Sequence, residues 1–409
     1  MKIAMRKLAG ALGLATVVAT SVTASFSAVA ADNRPFIVGV TMPKTGAAAQ
    51  YGPLIENGMR VAITHINAEG GIAGRKVQLE IRDSATNPQR AVLAAKELVE
   101  EAKVDFLFPE IVSGLALAVL PYSTERKMLT ITNASAPQIG DAKQYPYSFQ
   151  LGDLANKRAP AMATAMKKLG GKRVGILVST NPGNIATGEQ LQAELPTKYG
   201  LQVASYKTYD GNAKDLTAQL QALKDAGADI IAFDAAIRDS IRAVMTSLQT
   251  LGWNVKIICG VAPIAGDLKE LVPASVQSQF YALNYRVGTR AGTPKPELAQ
   301  FITELKKAGP INNIAFSAIA RDILYMVKYS YDKAAKEKGS TSADNVKAVL
   351  EGLGTAKDFP AGYSLVLGNP RYNAGDHSTA NVDYSKLWGL IRASTPVDGQ
   401  YEGEELVAE

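Results

Sequence analysis

Cysteine is almost missing from this chain. Cys259 is the only one in 409 residues and lies within the apolar run Val255–Gly260, so no intrachain disulfide framework exists and the thiol reads as a small buried hydrophobe. Histidine is nearly as scarce: His65 and His377 stand alone, without an HExxH pair or paired cysteines, so no metal site is expected. No G-x-S-x-G nucleophile elbow occurs. Gly170-Gly171-Lys172 lacks the Ser or Thr of a phosphate loop and precedes its strand, and Gly70, Gly71 and Gly74 join helix to strand rather than strand to helix. No cofactor and no enzymatic activity are expected, although carboxylate pairs that meet only in space leave no mark on a sequence.

Charge of one sign is also in short supply. The formal net charge of +6 falls to +3 once residues 1–31, with three basic and no acidic groups, are set aside. Basic residues such as Lys167, Lys168, Lys172 and Arg173 are scattered at expected helix ends without interleaved aromatics, which reads as a solvated face and not as a nucleic-acid surface. A single long apolar run is present, Leu8–Val22, preceded by Lys2, Arg6 and Lys7 and followed by the small residues Ala28, Val29, Ala30 and Ala31. It is short for a membrane span and has the form of a cleavable signal peptide covering residues 1–31. The mature protein is expected to begin near Ala31 or Asp32 and to be periplasmic.

With 47% hydrophobic and 20% charged residues, the remainder is an ordinary globular chain, large for one core and comfortable for two. Its opening unit sets the pattern. Phe36–Thr41 reads as a strand, Gly46–Gly52 as a glycine-punctuated loop, and Ile55, Met59, Ala62, Ile63 and Ile66 fall at helical spacing up to Asn67, Gly70 and Gly71. Val77, Leu79 and Ile81 then alternate as a strand does. Strand, crossover and strand predict a right-handed unit of a parallel sheet, with a ligand at the carboxyl ends of the strands, where the Gly46–Gly52 loop lies.

The device repeats. Asn87 and Pro88 start a helix that feeds the strand Val104–Phe108; a turn at Pro109–Gly114, a helix and the strand Met128–Thr132 follow. Pro137–Pro160 reads as a loop crossing to a second domain. There, strands Arg173–Ser179, Val203–Tyr206, Asp229–Phe233 and Val255–Ile258 alternate with helices Ile185–Tyr199, Leu216–Ala226 and Ile237–Leu251, as in a duplicated α/β half. Beyond the link Phe280–Tyr285 come helices around Leu298–Lys307, Ala315–Lys336 and Val346–Leu353, then a tail from Tyr363 to Ile391 that reads as strand-rich.

Three segments carry a family resemblance: Gly46 to Gly52 with Gln50 and Tyr51; His65 to Lys76 with Asn67, Glu69, Gly70, Gly71, Gly74 and Arg75; and Asp83 to Pro88. With Ser113 and the run Ile131 to Pro137, the chain resembles the branched-chain amino acid binding family, the type I periplasmic solute receptors of ABC importers. The resemblance implies an α/β fold of two doubly wound, Rossmann-like lobes joined by three crossovers and closing on a ligand by hinge motion. Lobe one takes residues 32–152 and 285–365, lobe two residues 153–284 and 366–409. The implied partners are a small-molecule carboxylate and an inner-membrane ABC permease, and the implied state is a monomer.

Carried over residue by residue, the resemblance makes Ser113 the ligand-carboxylate serine at a helix start, Asn133 and Ala134 providers of backbone groups, Ser135 a second hydroxyl and amide, and Tyr51 an aromatic against the ligand. Read without it, the serines are turn or cap hydroxyls. Lobe two departs from the family. Val261 stands where amino acid binders place the acidic partner of the ammonium, their two tyrosines fall near Asn184 or Ile185 and near Ala236, and their cysteine pair falls at Thr86 and Val112. A buried ammonium without an acidic partner costs several kcal/mol. The expected ligand is therefore a small organic acid with an aromatic or otherwise apolar body facing Ile185, Ala236, Val261 and Ala262, while Asn181, Asn184, Asp234 and Arg238 could reach a ring hydroxyl or second carboxylate. Three rivals remain: an amino acid receptor using Asp234 or Glu110 as the missing anion, a hydrolase pairing His377 with Ser113, and a ligand sensor of the same fold.

Overall fold

The computed structural model describes residues 34–261, 266–290, 296–309, 311–355 and 364–407. The expected signal peptide and Ala262 lie outside them. Val38 and Val40 are fully buried in the first strand, β1 (Phe36–Met42), and helix α1 (Tyr51–Ala68) returns the chain to β2 (Val77–Asp83), parallel to β1. α1 starts at Tyr51, inside the expected loop, and Gly52 lets its first turn lie against the Pro43 carbonyl, where a Cβ would stand 2.8 Å from the oxygen. Helix α2 (Pro88–Lys96) begins as the sequence indicates, with Asn87 accepting from the Arg90 amide. Strand β3 (Phe106–Phe108), helix α3 (Ser113–Glu125), β4 (Thr130–Thr132) and β5 (Ser148–Gln150) complete a parallel five-stranded sheet, ordered β2-β1-β3-β4-β5. β5 falls within the stretch expected to be loop only.

The second lobe repeats this plan with helix α4 (Ala159–Lys168), strand β6 (Arg173–Ser179), helix α5 (Pro182–Lys198), strand β7 (Gln202–Tyr209), helix α6 (Thr217–Asp225), strand β8 (Ile230–Asp234), helix α7 (Asp239–Thr250), and strands β9 (Lys256–Cys259) and β10 (Phe280–Tyr285). Strands β7-β6-β8-β9-β10 are parallel. The chain goes on through β11 (Thr289–Arg290), helices α8 (Pro296–Ala308), α9 (Ile314–Lys338) and α10 (Ala343–Glu351), then β12 (Trp388–Arg392) and β13 (Tyr401–Leu406). β12 pairs antiparallel with β10 and with β13, extending the second sheet to eight strands. The long helix α9 instead packs on the first lobe. Gly58 of α1 lies so close to it that a Cβ would stand 2.2 Å from the Ser317 carbonyl oxygen, and the Ser317 hydroxyl donates to Leu54 O at 2.8 Å.

The tail corrects two expectations. Residues 364–387 are turns and irregular backbone, not strands, because the Asp322 carboxylate takes the amides of Leu365 and Val366 that a ladder would use. Return to the second lobe also comes later than residue 366. The Gln150 amide donates to His377 O and the Tyr372 hydroxyl to Gln150 O, which holds this stretch on the edge strand of the first sheet. The three passages between lobes are tied together: Leu154 N donates to the Tyr384 hydroxyl at 2.9 Å, Thr379 Oγ1 to Gly152 O at 2.6 Å, and the Tyr285 hydroxyl to Asp153. Among the described residues, no helix is long and apolar enough to cross a membrane.

Candidate functional site

Each sheet reverses direction beside its first strand, and the loops after the strand carboxyl ends meet there. From the first lobe come Tyr51, following β1, Ser113, following β3, and Asn133 and Ser135, following β4; from the second come Asn181 and Asn184, following β6, Ala236, following β8, and Val261, following β9. They line a cavity of about 50 Å³. The lobes touch across it, with the Tyr51 hydroxyl donating to Ala236 O at 3.4 Å. The Tyr51 ring packs edge-on against Phe316, centroids 5.3 Å apart, and burial drives its phenol well above the ordinary tyrosine range.

Two helix N-termini open into this space. Ser113 is the first residue of α3, and its hydroxyl accepts from the Ala136 amide at 3.1 Å. Opposite, α5 begins at Pro182, capped by Asn181, whose side-chain oxygen accepts from Gly183 N at 3.1 Å. A Cβ on Gly183 would stand 2.8 Å from Ser135 Oγ and 2.9 Å from Ser113 Oγ, so the mouth of α5 faces both hydroxyls directly. First-turn amides have no acceptor within their own helix and the aligned peptide dipoles favour negative charge, so this is a setting for an anion.

Seven of the nine residues named from the sequence line the cavity: Tyr51, Ser113, Asn133, Ser135, Asn184, Ala236 and Val261. Ala134 does not. Its amide donates to Thr132 Oγ1 and its carbonyl accepts from the Gln150 side chain, so its backbone groups are used inside lobe one. Ile185, next to Asn184 on α5, does not line the cavity and packs half-buried against the core. Asn184 is 3% exposed, and its side-chain oxygen accepts from the Ser179 hydroxyl at 2.7 Å. Arg238 is engaged elsewhere, by Asp267 O at 2.6 Å and Glu270 at 3.7 Å. His377 is buried with its ring nitrogens on Ser148 O and Glu351, stacked on Phe149, and is not paired with Ser113.

A buried ion cluster on the cavity wall went unread in the sequence. Arg158 donates through Nε to Asp153 at 2.6 Å and through Nη1 to Asp234 at 2.9 Å, and all three side chains are at most 3% exposed. Asp153, Arg158, Tyr285 and Phe316 line the cavity; Asp234 stands behind Arg158, with its other oxygen accepting from Ala235 N. Burial opposes the Arg158 charge, but Asp153 and Asp234 outweigh it and hold the guanidinium above its ordinary range. Gly260 makes room for the Asp234 carboxylate, since a Cβ there would lie 2.0 Å from Oδ1. The available signal was an Asp and an Arg five residues apart in a crossover that also carried apolar Leu154 and Ala155.

Residues 35–382 match the periplasmic binding protein family. Leu/Ile/Val-binding protein homolog 3 of Brucella melitensis is 28% identical over 378 residues, covering 92% of this chain and 97% of that protein. A solved solute-binding protein of an ABC transporter from Rhodopseudomonas palustris, in complex with 4-hydroxybenzoate, is similar at a TM-score of 0.72 and 18% identity, over 91% of this chain and 96% of its own. The branched-chain amino acid transporter substrate-binding protein of Streptococcus pneumoniae, in complex with isoleucine, is similar at a TM-score of 0.69 and 19% identity, over 91% of this chain and all of its own. The chain belongs to the periplasmic binding protein family and has the two-lobed type I fold.

Proposed function

We propose that this chain is the receptor of an ABC importer, working as a monomer in the periplasm, that captures a small organic acid with a largely apolar body by closing its two lobes. The observation that carries this reading is the position of the Ser113 and Ser135 hydroxyls between the mouths of α3 and α5. A ligand carboxylate placed there meets two hydroxyls of the first lobe and a helix dipole from each lobe, so binding it favours the closed form. Tyr51, Phe316, Ile111 and Val112 supply apolar surface for the body of the ligand. The closed receptor presents both lobe faces to a permease and releases its cargo when the lobes part. Ser113→Ala tests the assignment by calorimetric titration with benzoate: affinity is expected to fall by roughly 1–3 kcal/mol, the loss expected when a charged group is left short of a hydrogen bond. An unchanged affinity would remove Ser113 from the site.

A second reading, an amino acid receptor, draws support from Asp153. Val261 leaves no carboxylate at the family's ammonium position, but Asp153 brings one to the cavity wall. Both its oxygens are already engaged, by Arg158 and by the Tyr285 hydroxyl. An ammonium there would also sit beside the like charge of the Arg158 guanidinium, which favours the organic acid. The R. palustris and S. pneumoniae proteins, which bind 4-hydroxybenzoate and isoleucine, stand on either side of this choice.

A further inference from the structure

Arg158 lines the cavity while only 3% exposed, with Nε on Asp153 and Nη1 on Asp234 and, at 3.4 Å, Thr187. Among the described residues its Nη2 has no partner. A guanidinium donor held in place at the cavity wall without a protein acceptor is left for whatever occupies the cavity. Beside it, Asp153 accepts from Tyr285 and from Arg158 Nε, and each carboxylate oxygen keeps a further lone pair. The wall therefore offers one donor and one acceptor side by side. Its two carboxylates and one guanidinium leave the cluster with one net negative charge.

Resting on the organic-acid reading, we infer that the ligand carries a hydroxyl at the end away from its carboxylate, accepting from Arg158 Nη2 and donating to Asp153. A hydroxyl is the small neutral group able to do both. A second ligand carboxylate would accept from Arg158 but would meet the Asp153 carboxylate with a like charge, against the cluster's own sign. An unsubstituted acid would cover Nη2 without offering it an acceptor. The cluster thus selects hydroxy monocarboxylates over both dicarboxylates and plain acids, a discrimination that apolar contacts alone supply only weakly.

The test is calorimetric titration of the refolded wild-type protein with two series: benzoate, 4-hydroxybenzoate and terephthalate; hexanoate, 6-hydroxyhexanoate and adipate. In at least one series the hydroxy acid is expected to bind about tenfold or more tighter than its parent, with the diacid weakest. In Asp153→Asn, checked for native circular dichroism, that ratio is expected to shrink while the parent acid's affinity changes less. Hydroxy and parent acids of equal affinity in both series would overturn the inference and leave the organic-acid reading standing. Binding of leucine with no acid bound in either series would overturn both. If Asp153→Asn does not fold, the wild-type ratios decide alone.

Discussion

The Tyr51 hydroxyl of the first lobe donates to the carbonyl of Ala236 in the second at 3.4 Å, and this contact exists only while the lobes are together. Tyr51→Phe keeps the ring packed on Phe316 and removes the hydroxyl. A hydrogen bond of this kind is worth roughly 0.5–1.5 kcal/mol net, so ligand affinity is expected to fall about two- to tenfold, mostly through faster release. Stopped-flow dissociation measures it. An unchanged release rate would mean that this contact does not hold the closed form.

Gly183 has no Cβ because two serine hydroxyls occupy the space one would need. In Gly183→Ala, the methyl group forces the α5 mouth away from Ser113 and Ser135, an overpacking that costs about 1–3 kcal/mol and is paid only on closure. Affinity is expected to drop about tenfold, while the unliganded protein unfolds no earlier, since alanine is the better helix former. Calorimetric titration and thermal unfolding separate these effects, and full affinity would contradict the contact.

Glu110, at the end of β3, is fully buried with a φ of +135°, a conformation L residues seldom adopt. Burial pushes its carboxyl up from 4.5 to about 7, against the hydrogen bond that Oε2 accepts from the Ile111 amide. The folded state therefore holds this proton more tightly than the unfolded chain. Glu110 costs no stability below pH 4.5, costs progressively more as the pH rises to about 7, and has a constant effect beyond. Relative to wild type, Glu110→Gln is expected to gain roughly 1–3 kcal/mol between pH 4.5 and pH 8. Urea unfolding at both pH values measures the gain, and a difference that does not change with pH would contradict it.

The sequence showed the strand ends, and with them much of the cleft. Ser113, Asn133 and Asn184 each follow a short buried strand at the turn into the next segment, where an α/β sheet presents residues to a ligand. It did not show which polar groups meet across the lobes. Arg158 and Asp234 are 76 residues apart, and Tyr285 and Asp153 are 132 apart, so their pairing is set by the packing of whole lobes and not by spacing along the chain. Apolar Leu365, Val366 and Leu367 looked like part of a strand because composition cannot reveal that a carboxylate from α9 caps their amides. Ile185 and Asn184 differ by one helical step, enough to set one side chain against the outside of the core and the other on the cleft.

The most direct test of the account is thermal unfolding of the protein, refolded free of carried-over ligand, against leucine, benzoate, 4-hydroxybenzoate, coumarate and short fatty acids. A ligand that binds only the folded state raises the midpoint. The account predicts a rise with one or more of the organic acids and none with leucine; a rise with leucine alone would contradict the organic-acid reading.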